Sequence, residues 1–182
     1  MPATALDKNL VMLQDDFRDK VVKLLDNCAN RNVIMKPYMG TRSAQWQAEL
    51  WCRSRTDDEK TKMVNFLRNN NADFLADCLL KVTTVGNDRW ATNAVSGRSW
   101  HNWGYAVDCV NVHGGIANWD SNTDAYNVYA EEAEKLGLTS GHRWKKKDSV
   151  HVQFYGNDQL QEYSWYEINN EMKKRWGNGI TS

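Results

Sequence analysis

The sequence predicts an α+β protein of one domain, residues 1–182, in which a small antiparallel sheet packs with helices. Several long segments carry apolar residues at helical spacing, and three short segments show the alternating or valine-rich pattern of strands. No internal repeat, low-complexity tract or Pro/Ser-rich linker divides the chain. A chain of this length can enclose a sizeable apolar core, so one domain is the simplest arrangement.

The helices are predicted from the spacing of apolar residues and from the residues that begin or end them. Leu10, Leu13 and Phe17 lie at helical spacing, which predicts an amphipathic helix over residues 7–28. Ser43 can cap the next helix, and Gly137 can end a later one. Five further helices are predicted over residues 43–53, 57–67, 72–82, 120–136 and 164–176.

Strands are predicted over residues 32–38, 105–112 and 150–155. The first holds a short apolar run and is interrupted by Pro37, which removes a ladder hydrogen bond and therefore indicates a place near a sheet edge. The second alternates and is rich in valine, and Gly114-Gly115 is expected to end it. Residues 86–98 are polar and irregular, which predicts a loop.

Composition and charge argue against several classes of protein. The formal net charge is zero, whereas nucleic-acid binders usually carry a basic excess. No segment approaches the roughly 20 apolar residues of a membrane helix, so no stable membrane insertion is expected. The first residues lack the basic start and apolar run of a secretory leader, which predicts synthesis in the cytoplasm. The four cysteines form no Cys-x-x-Cys pair and are expected to be free thiols.

Four polar residues in two segments supply the groups that a hydrolytic zinc site requires. Such a site needs about three His, Asp or Glu ligands, an open position for water, and a carboxylate to accept the proton of that water. His101 and Asp108 flank the start of the second strand, and Asp148 precedes His151 by three residues. On spacing alone, a lone histidine before a strand is more often a structural side chain than a ligand, and Asp108 could instead cap a backbone group or pair with an arginine.

Three ordered blocks of the sequence resemble those of a known family. The segment Ser-x-His-x-x-Gly-x-Ala-x-Asp at residues 99–108 resembles the motif of the zinc peptidases that include D-Ala-D-Ala carboxypeptidases, vancomycin-resistance dipeptidases and phage L-alanyl-D-glutamate endopeptidases. Asp-x-x-His at 148–151 resembles the second motif, and Gly-x-Arg-Ser at 40–43, followed by Gln47, resembles the upstream block. The resemblance spans residues 33–154, with helical extensions at 1–32 and 155–182, and implies a fold like that of these peptidases and of the hedgehog amino-terminal domain.

The resemblance implies a role for each matching residue. His101, Asp108 and His151 would hold one zinc ion per chain. Asp148 would act as the general acid and base, and Arg42 would stabilise the oxyanion that develops in the transition state.

Three further residues are implied to contact the substrate. Ser99 and Gln47 would bind its backbone, with capping of a loop or helix as the alternative, and Trp144 would line the cleft, with packing as the alternative. Gln153 stands where many members carry an acid two residues after the last histidine. The helical segment 54–82 matches no function of the family.

The resemblance favours a phage endolysin that cleaves the L-Ala–D-Glu bond of bacterial peptidoglycan. Asp148 stands in the short Asp-x-x-His form used by phage endopeptidases, and neither a leader nor a wall-binding domain is recognised. The enzyme is expected to be a monomer, made in the host cytoplasm and acting on the wall after the membrane is opened.

The alternatives are a D-Ala-D-Ala carboxypeptidase or dipeptidase and a non-catalytic, zinc-containing binding module. A hydrolase using Cys109 is disfavoured, because Cys109 adjoins Asp108 on a strand and points to the other face.

Overall fold

The computed structural model of the chain describes residues 7–84 and 92–178, so the predicted loop 86–98 lies partly outside the described residues. Within these ranges the chain forms helices and an antiparallel sheet, which confirms the α+β class. The helices are α1 (Asp15–Asn30), α2 (Ala44–Cys52), α3 (Asp57–Asn69), α4 (Asp73–Leu80), α5 (Trp100–Trp103), α6 (Asp124–Lys135) and α7 (Trp165–Trp176). The strands are β1 (Met35–Met39), β2 (Ala106–His113), β3 (Ile116–Asn118), β4 (Thr139–Ser140) and β5 (His151–Gln153).

Strand β2 is the centre of the sheet. The strand order is β1-β2-β5-β4, β3 also pairs with β2, and every pairing is antiparallel. Pro37 lies in the edge strand β1, as its missing N–H predicts. Asp108 is paired with His151 of β5 on one side and with Met39 of β1 on the other. Since directly opposite residues share a face, Asp108 and His151 project together from the sheet.

The chain contains two compact units, and the first comprises residues up to 41 together with 104–156. In it, α1 and α6 contribute to the apolar core that covers one side of the sheet. Phe17, Val21 and Leu24 of α1 are fully buried there, as is Cys109 of β2. Because side chains alternate along a strand, burial of Cys109 in this core places the neighbouring Asp108 on the opposite face. Burial also raises the pKa of the Cys109 thiol, which argues against this residue as a nucleophile.

The second unit comprises residues 42–103 and those from 157 onwards, and its described part is helical. Helices α2, α3 and α7 each contact α4. Capping boxes begin α3 at Thr56 and α7 at Ser164, and these ends match the predicted ones closely. The fully buried apolar side chains of these helices include Leu67, Leu75, Leu79, Ile168 and Met172. The prediction of one domain over residues 1–182 stays a prediction.

The first helix begins later than predicted. Residues 7–14 form turns, and α1 starts only at Asp15, although Leu10 and Leu13 are buried as a helical pattern would require. The N–H of Gln14 donates to the carbonyl of Gly104 at 3.0 Å, and Gln14 has an extended backbone. This contact between distant parts of the chain holds the segment outside the helix.

Strand β3, helix α5 and strand β4 are three short elements that the sequence pattern does not predict. Gly114 and Gly115 end the second strand as predicted, and they also form the two-residue turn of a hairpin to β3, with φ of +58° and +83°. His101 was expected at the end of a loop and lies instead in the four-residue helix α5. Strand β4 is only two residues long, too short for a periodic pattern to indicate.

The expectations about the cysteines and about membrane-spanning helices can be compared with the structure of the described residues. All four cysteines are buried free thiols, as expected. None of the helices within residues 7–84 and 92–178 is long and apolar enough to cross a membrane.

The core of the first unit can be tested at Phe17. Its ring lies 6.1 Å from the ring of Phe154 and 6.4 Å from that of Tyr105, and the residue is fully buried. Phe17→Ala is expected to lower the free energy of unfolding by about 3–5 kcal/mol, because it leaves a cavity that a packed core closes only in part. Urea unfolding followed by tryptophan fluorescence measures the change. Val22→Ala is the control, because Val22 lies on the same helix and is 38% exposed. This substitution should change the free energy of unfolding by about 0.5 kcal/mol or less.

Candidate metal centre

The centre is built around the side chains of Asp108 and His151. The antiparallel register of β2 and β5 places them opposite each other, and Nδ1 of His151 lies 3.0 Å from Oδ1 of Asp108. Each residue is only 8% exposed. Two potential metal ligands are therefore held by backbone pairing and not by a flexible loop.

Gln153 determines which nitrogen of His151 faces Asp108. The Nε2 atom of His151 lies 2.9 Å from Oε1 of Gln153, while the amide nitrogen of Gln153 donates to the carbonyl of Tyr155. An amide oxygen only accepts, so Nε2 carries a hydrogen and donates it. In the neutral imidazole, Nδ1 then directs its lone pair at the Asp108 carboxylate.

A lone pair facing a carboxylate oxygen at 3.0 Å requires a positive charge near both atoms. Burial by itself lowers the pKa of His151. The hydrogen bond and charge of Asp108, the charge of Asp148 and the bond to Gln153 outweigh this effect, and the pKa is raised. A proton on Nδ1 satisfies the pair, and so does a metal ion that replaces that proton. The donor set and its polarity therefore fit a cation.

His101 is presented by the short helix α5 and is 3% exposed. Its carbonyl accepts from the N–H of Arg42 at 3.1 Å. The next residue, Asn102, is fully buried; its amide nitrogen donates to the carbonyls of Arg42 and Ser43, and its oxygen accepts from the N–H of Gly97. Asn102 thus holds the α5 turn against the start of α2. No sequence pattern distinguished this asparagine from the others in the chain.

Three residues form a group that can hold a metal ion within the part of the chain that the structure describes. They are the candidate ligands His101, Asp108 and His151. Two imidazoles and one carboxylate, with a fourth position for water, are typical of catalytic zinc.

Asp148 occupies the turn immediately before β5 and is exposed. Its N–H donates to the carbonyl of Gly141 at 2.9 Å, and its carbonyl accepts from the N–H of His151 at 3.1 Å. A Cβ on Gly141 would come within 2.4 Å of the Asp148 carbonyl oxygen, so only glycine permits this close approach. Trp144, 39% exposed, places its ring 5.3 Å from that of His151.

The remaining predicted site residues lie around the start of α2 and of α5. Arg42 donates from Nη1 to Oε1 of Gln47 at 2.8 Å, and Gln47 donates to the carbonyl of Ala94 at 2.6 Å. Gln47 is fully buried and uses both ends of its amide in these bonds. Ser99 is half-buried, and its carbonyl accepts from the N–H of Asn102. The predicted contacts of Ser99 and Gln47 with substrate stay predictions.

Comparison with protein families identifies the chain. The profile of the VanY family, described as D-alanyl-D-alanine carboxypeptidase, matches residues 11–156. This match covers most of the chain, and the chain therefore belongs to the VanY family. With the His-Asp-His group, membership identifies a zinc metallopeptidase that acts on peptidoglycan. A comparison with curated protein sequences found no match.

Several solved structures are similar to the chain at low identity. The L-Ala D-Glu endopeptidase ChiX of Serratia marcescens is 20% identical, with 81% of this chain and 84% of that one covered and a TM-score of 0.43. A vancomycin-resistance D,D-pentapeptidase VanY from a VanB-type cassette, solved as a point mutant with Zn(II), is 15% identical, with 93% and 80% covered and a TM-score of 0.48. DacB of Streptococcus pneumoniae is 17% identical, with 93% and 73% covered and a TM-score of 0.47.

The role of Gln153 in orienting His151 can be tested by metal affinity. Gln153→Leu removes the acceptor of the Nε2 hydrogen and is expected to weaken zinc binding about 10- to 100-fold, because the ring loses the partner that holds its tautomer and orientation. Competition with a chromogenic chelator measures the affinity. Gln153→Glu, which keeps an acceptor at this position, is the matched control and should bind zinc at least as tightly as the natural protein. Equal affinities for all three proteins would contradict this role.

Proposed function

We propose that the chain is a zinc-dependent peptidoglycan endopeptidase of the endolysin type, which hydrolyses the L-Ala–D-Glu bond of the stem peptide. The observation that carries this proposal is the exposed carboxylate of Asp148 one turn before the buried pair of Asp108 and His151. One group of residues thus offers metal ligands, and the adjoining residue offers a base that water can reach. The short Asp-x-x-His form, shared with phage endopeptidases, supports this choice within the family.

In this proposal His101, Asp108 and His151 hold one zinc ion per chain. When bound, zinc polarises the scissile carbonyl and makes water acidic enough to be deprotonated near neutral pH. Asp148 accepts the proton of the attacking water and delivers it to the leaving amine. Its position suits this role, since its backbone is held at both ends by Gly141 and His151 while its side chain stays exposed.

Arg42 is proposed to donate to the oxyanion that develops on the scissile carbonyl. Gln47 holds the guanidinium from one side, and its own amide is held by Ala94, so the cation is orientated before substrate arrives. Such orientation matters because a donor helps most when it needs no rearrangement in the transition state. Ser99 is proposed to bind the substrate backbone, and Trp144 to contact its side chains beside His151.

Exposed aromatic side chains on both sides of Asp108 and His151 support cleavage of an internal bond of the peptide. Tyr38 lies on β1, on one side of β2, and is 37% exposed; Trp144 lies beside His151 of β5 and is 39% exposed. An endopeptidase must hold substrate on both sides of the scissile bond. Cleavage next to the sugar-linked alanine also frees the whole peptide from the glycan, so each cut either severs a crosslink or prevents one.

A D-Ala-D-Ala carboxypeptidase is the second candidate, and the description of the matching family favours it. The same ligands, base and arginine would serve that reaction. The two activities differ in the position of the bond along the stem peptide. They are therefore distinguished by their products and not by their metal chemistry.

The roles of Asp148 and His151 can be separated by substitution. Asp148→Asn is expected to keep one zinc per chain and to lower kcat on peptidoglycan about 10²- to 10⁴-fold, because it removes the proton acceptor and leaves the ligands in place. His151→Ala is expected to lose both zinc and activity. Elemental analysis and turbidity assays on purified sacculi measure the two properties. Near-normal turnover by Asp148→Asn would assign the base to another group.

The new termini that digestion creates show which bond of the stem peptide is cleaved. Sacculi treated with the zinc-loaded protein are expected to release peptides with new D-Glu amino termini and to leave glycan that carries L-Ala alone, both measured by mass spectrometry. A sample inactivated with a chelator is the control. Release of free D-Ala as the sole product would replace the endopeptidase assignment by the carboxypeptidase one.

A further inference from the structure

An exposed aromatic pair lies on the face of the sheet that carries Asp108. Pro37 is opposite Cys109 and Met39 is opposite Asp108, so Tyr38 is an extra residue of β1 beside Asp108. The ring of Trp119, which follows β3, meets the ring of Tyr38 edge to face with centroids 5.1 Å apart. Tyr38 is 37% exposed and Trp119 is 58% exposed. The pair is therefore a contiguous aromatic surface next to a proposed metal ligand.

The pKa of the Tyr38 hydroxyl also indicates that this residue lies beside the site. Partial burial raises the pKa of the Tyr38 hydroxyl, and the negative charges of Asp108 and Asp148 raise it further. Both carboxylates are thus close enough to act on this side chain. A ligand resting on the aromatic pair would lie beside the proposed scissile bond.

The loop that carries Trp119 is rigidly held although its indole is exposed. The Asn118 carbonyl accepts from the hydroxyl of Tyr126 at 2.8 Å, and the Asn118 side chain accepts from the N–H of Asp120 at 3.0 Å. The Asp120 side chain in turn accepts two bonds from Asn122. The backbone on both sides of Trp119 is thus hydrogen-bonded, which lowers the backbone entropy that is lost when a ligand binds the indole.

We propose that Trp119, supported by Tyr38, is a stacking surface for the N-acetylmuramic acid ring that adjoins the L-Ala–D-Glu bond. This inference rests on the proposed endopeptidase function. A pyranose ring has a face of C–H groups that suits an exposed indole.

The distances agree with this assignment. Asn118 lies opposite Asn111, three residues along β2 from Asp108, and Trp119 is the next residue, so at about 3.4 Å per residue Trp119 lies on the order of 10 Å from Asp108. In the muramyl peptide, one alanine and the lactyl group separate the sugar from the scissile carbonyl, which is about two residue lengths or roughly 7 Å. In a D-Ala-D-Ala substrate the sugar is several residues further away, so a sugar surface at this position serves only cleavage next to the first alanine.

The test compares two substrates that differ only in the sugar: a muramyl tetrapeptide and the same tetrapeptide with an N-acetyl group in place of the muramyl group. Trp119→Ala is expected to lower kcat/KM about tenfold on the muramyl substrate, because a stacked apolar contact is lost, and less than twofold on the acetyl peptide. Trp119→Phe should keep most of the preference. Ile116→Ala, which removes a 75% exposed apolar side chain from the neighbouring strand, should change neither rate.

Each other outcome overturns the inference in a recognisable way. An equal loss on both substrates would place the indole against the peptide or make its role structural, and circular dichroism with thermal unfolding identifies the latter. Unchanged rates on both substrates would leave Trp119 outside the binding surface. If the natural protein cleaves neither substrate after L-Ala but releases D-Ala from a pentapeptide, the proposed function itself is wrong.

Discussion

The pairing of β2 with β5 is the constraint on which the site depends. It places the Asp108 carboxylate and the His151 ring on one face at 3.0 Å, with both groups almost fully buried. Backbone hydrogen bonds determine this geometry, and the core of α1, α6 and Cys109 on the other face keeps the strands in register. A shift of one residue in β2 would turn Cys109 to the site and Asp108 into the apolar core, so core packing also selects the chemistry of the exposed face.

The charges of the site follow from this placement. Asp108 and the exposed Asp148 make the surroundings of His151 negative, and they raise its pKa in spite of burial. Gln153 accepts the hydrogen of the remote nitrogen and leaves Nδ1 towards Asp108. A positive charge near both groups stabilises a buried cluster of this kind, and either a proton or a metal ion can supply it.

The sequence predicted much of the fold because several elements begin with local signals. Ser43 and Ser164 cap helices that begin within one residue of the predicted positions, and Pro37 marks the edge strand correctly. Errors arose where distant contacts override local pattern. The Gly104 carbonyl holds Gln14 outside α1, and the partner strand β3 that follows the paired glycines carries no local pattern that predicts it. Strand β4 is too short to carry a pattern of its own.

The sequence alone determined the chemical types and order of the proposed site residues: a histidine before the second strand, an aspartate on it, and an acid three residues before the last histidine. Those types are a local property of the chain. Only the tertiary structure decided how they are held, because that depends on groups distant in sequence. The buried amide of Asn102 ties α5 to the start of α2, Gln47 holds Arg42, and the close approach at Gly141 sets the turn of Asp148. The aromatic surface of Tyr38 and Trp119 likewise exists only because β1 and β3 both pair with β2, which brings residues 81 positions apart into contact.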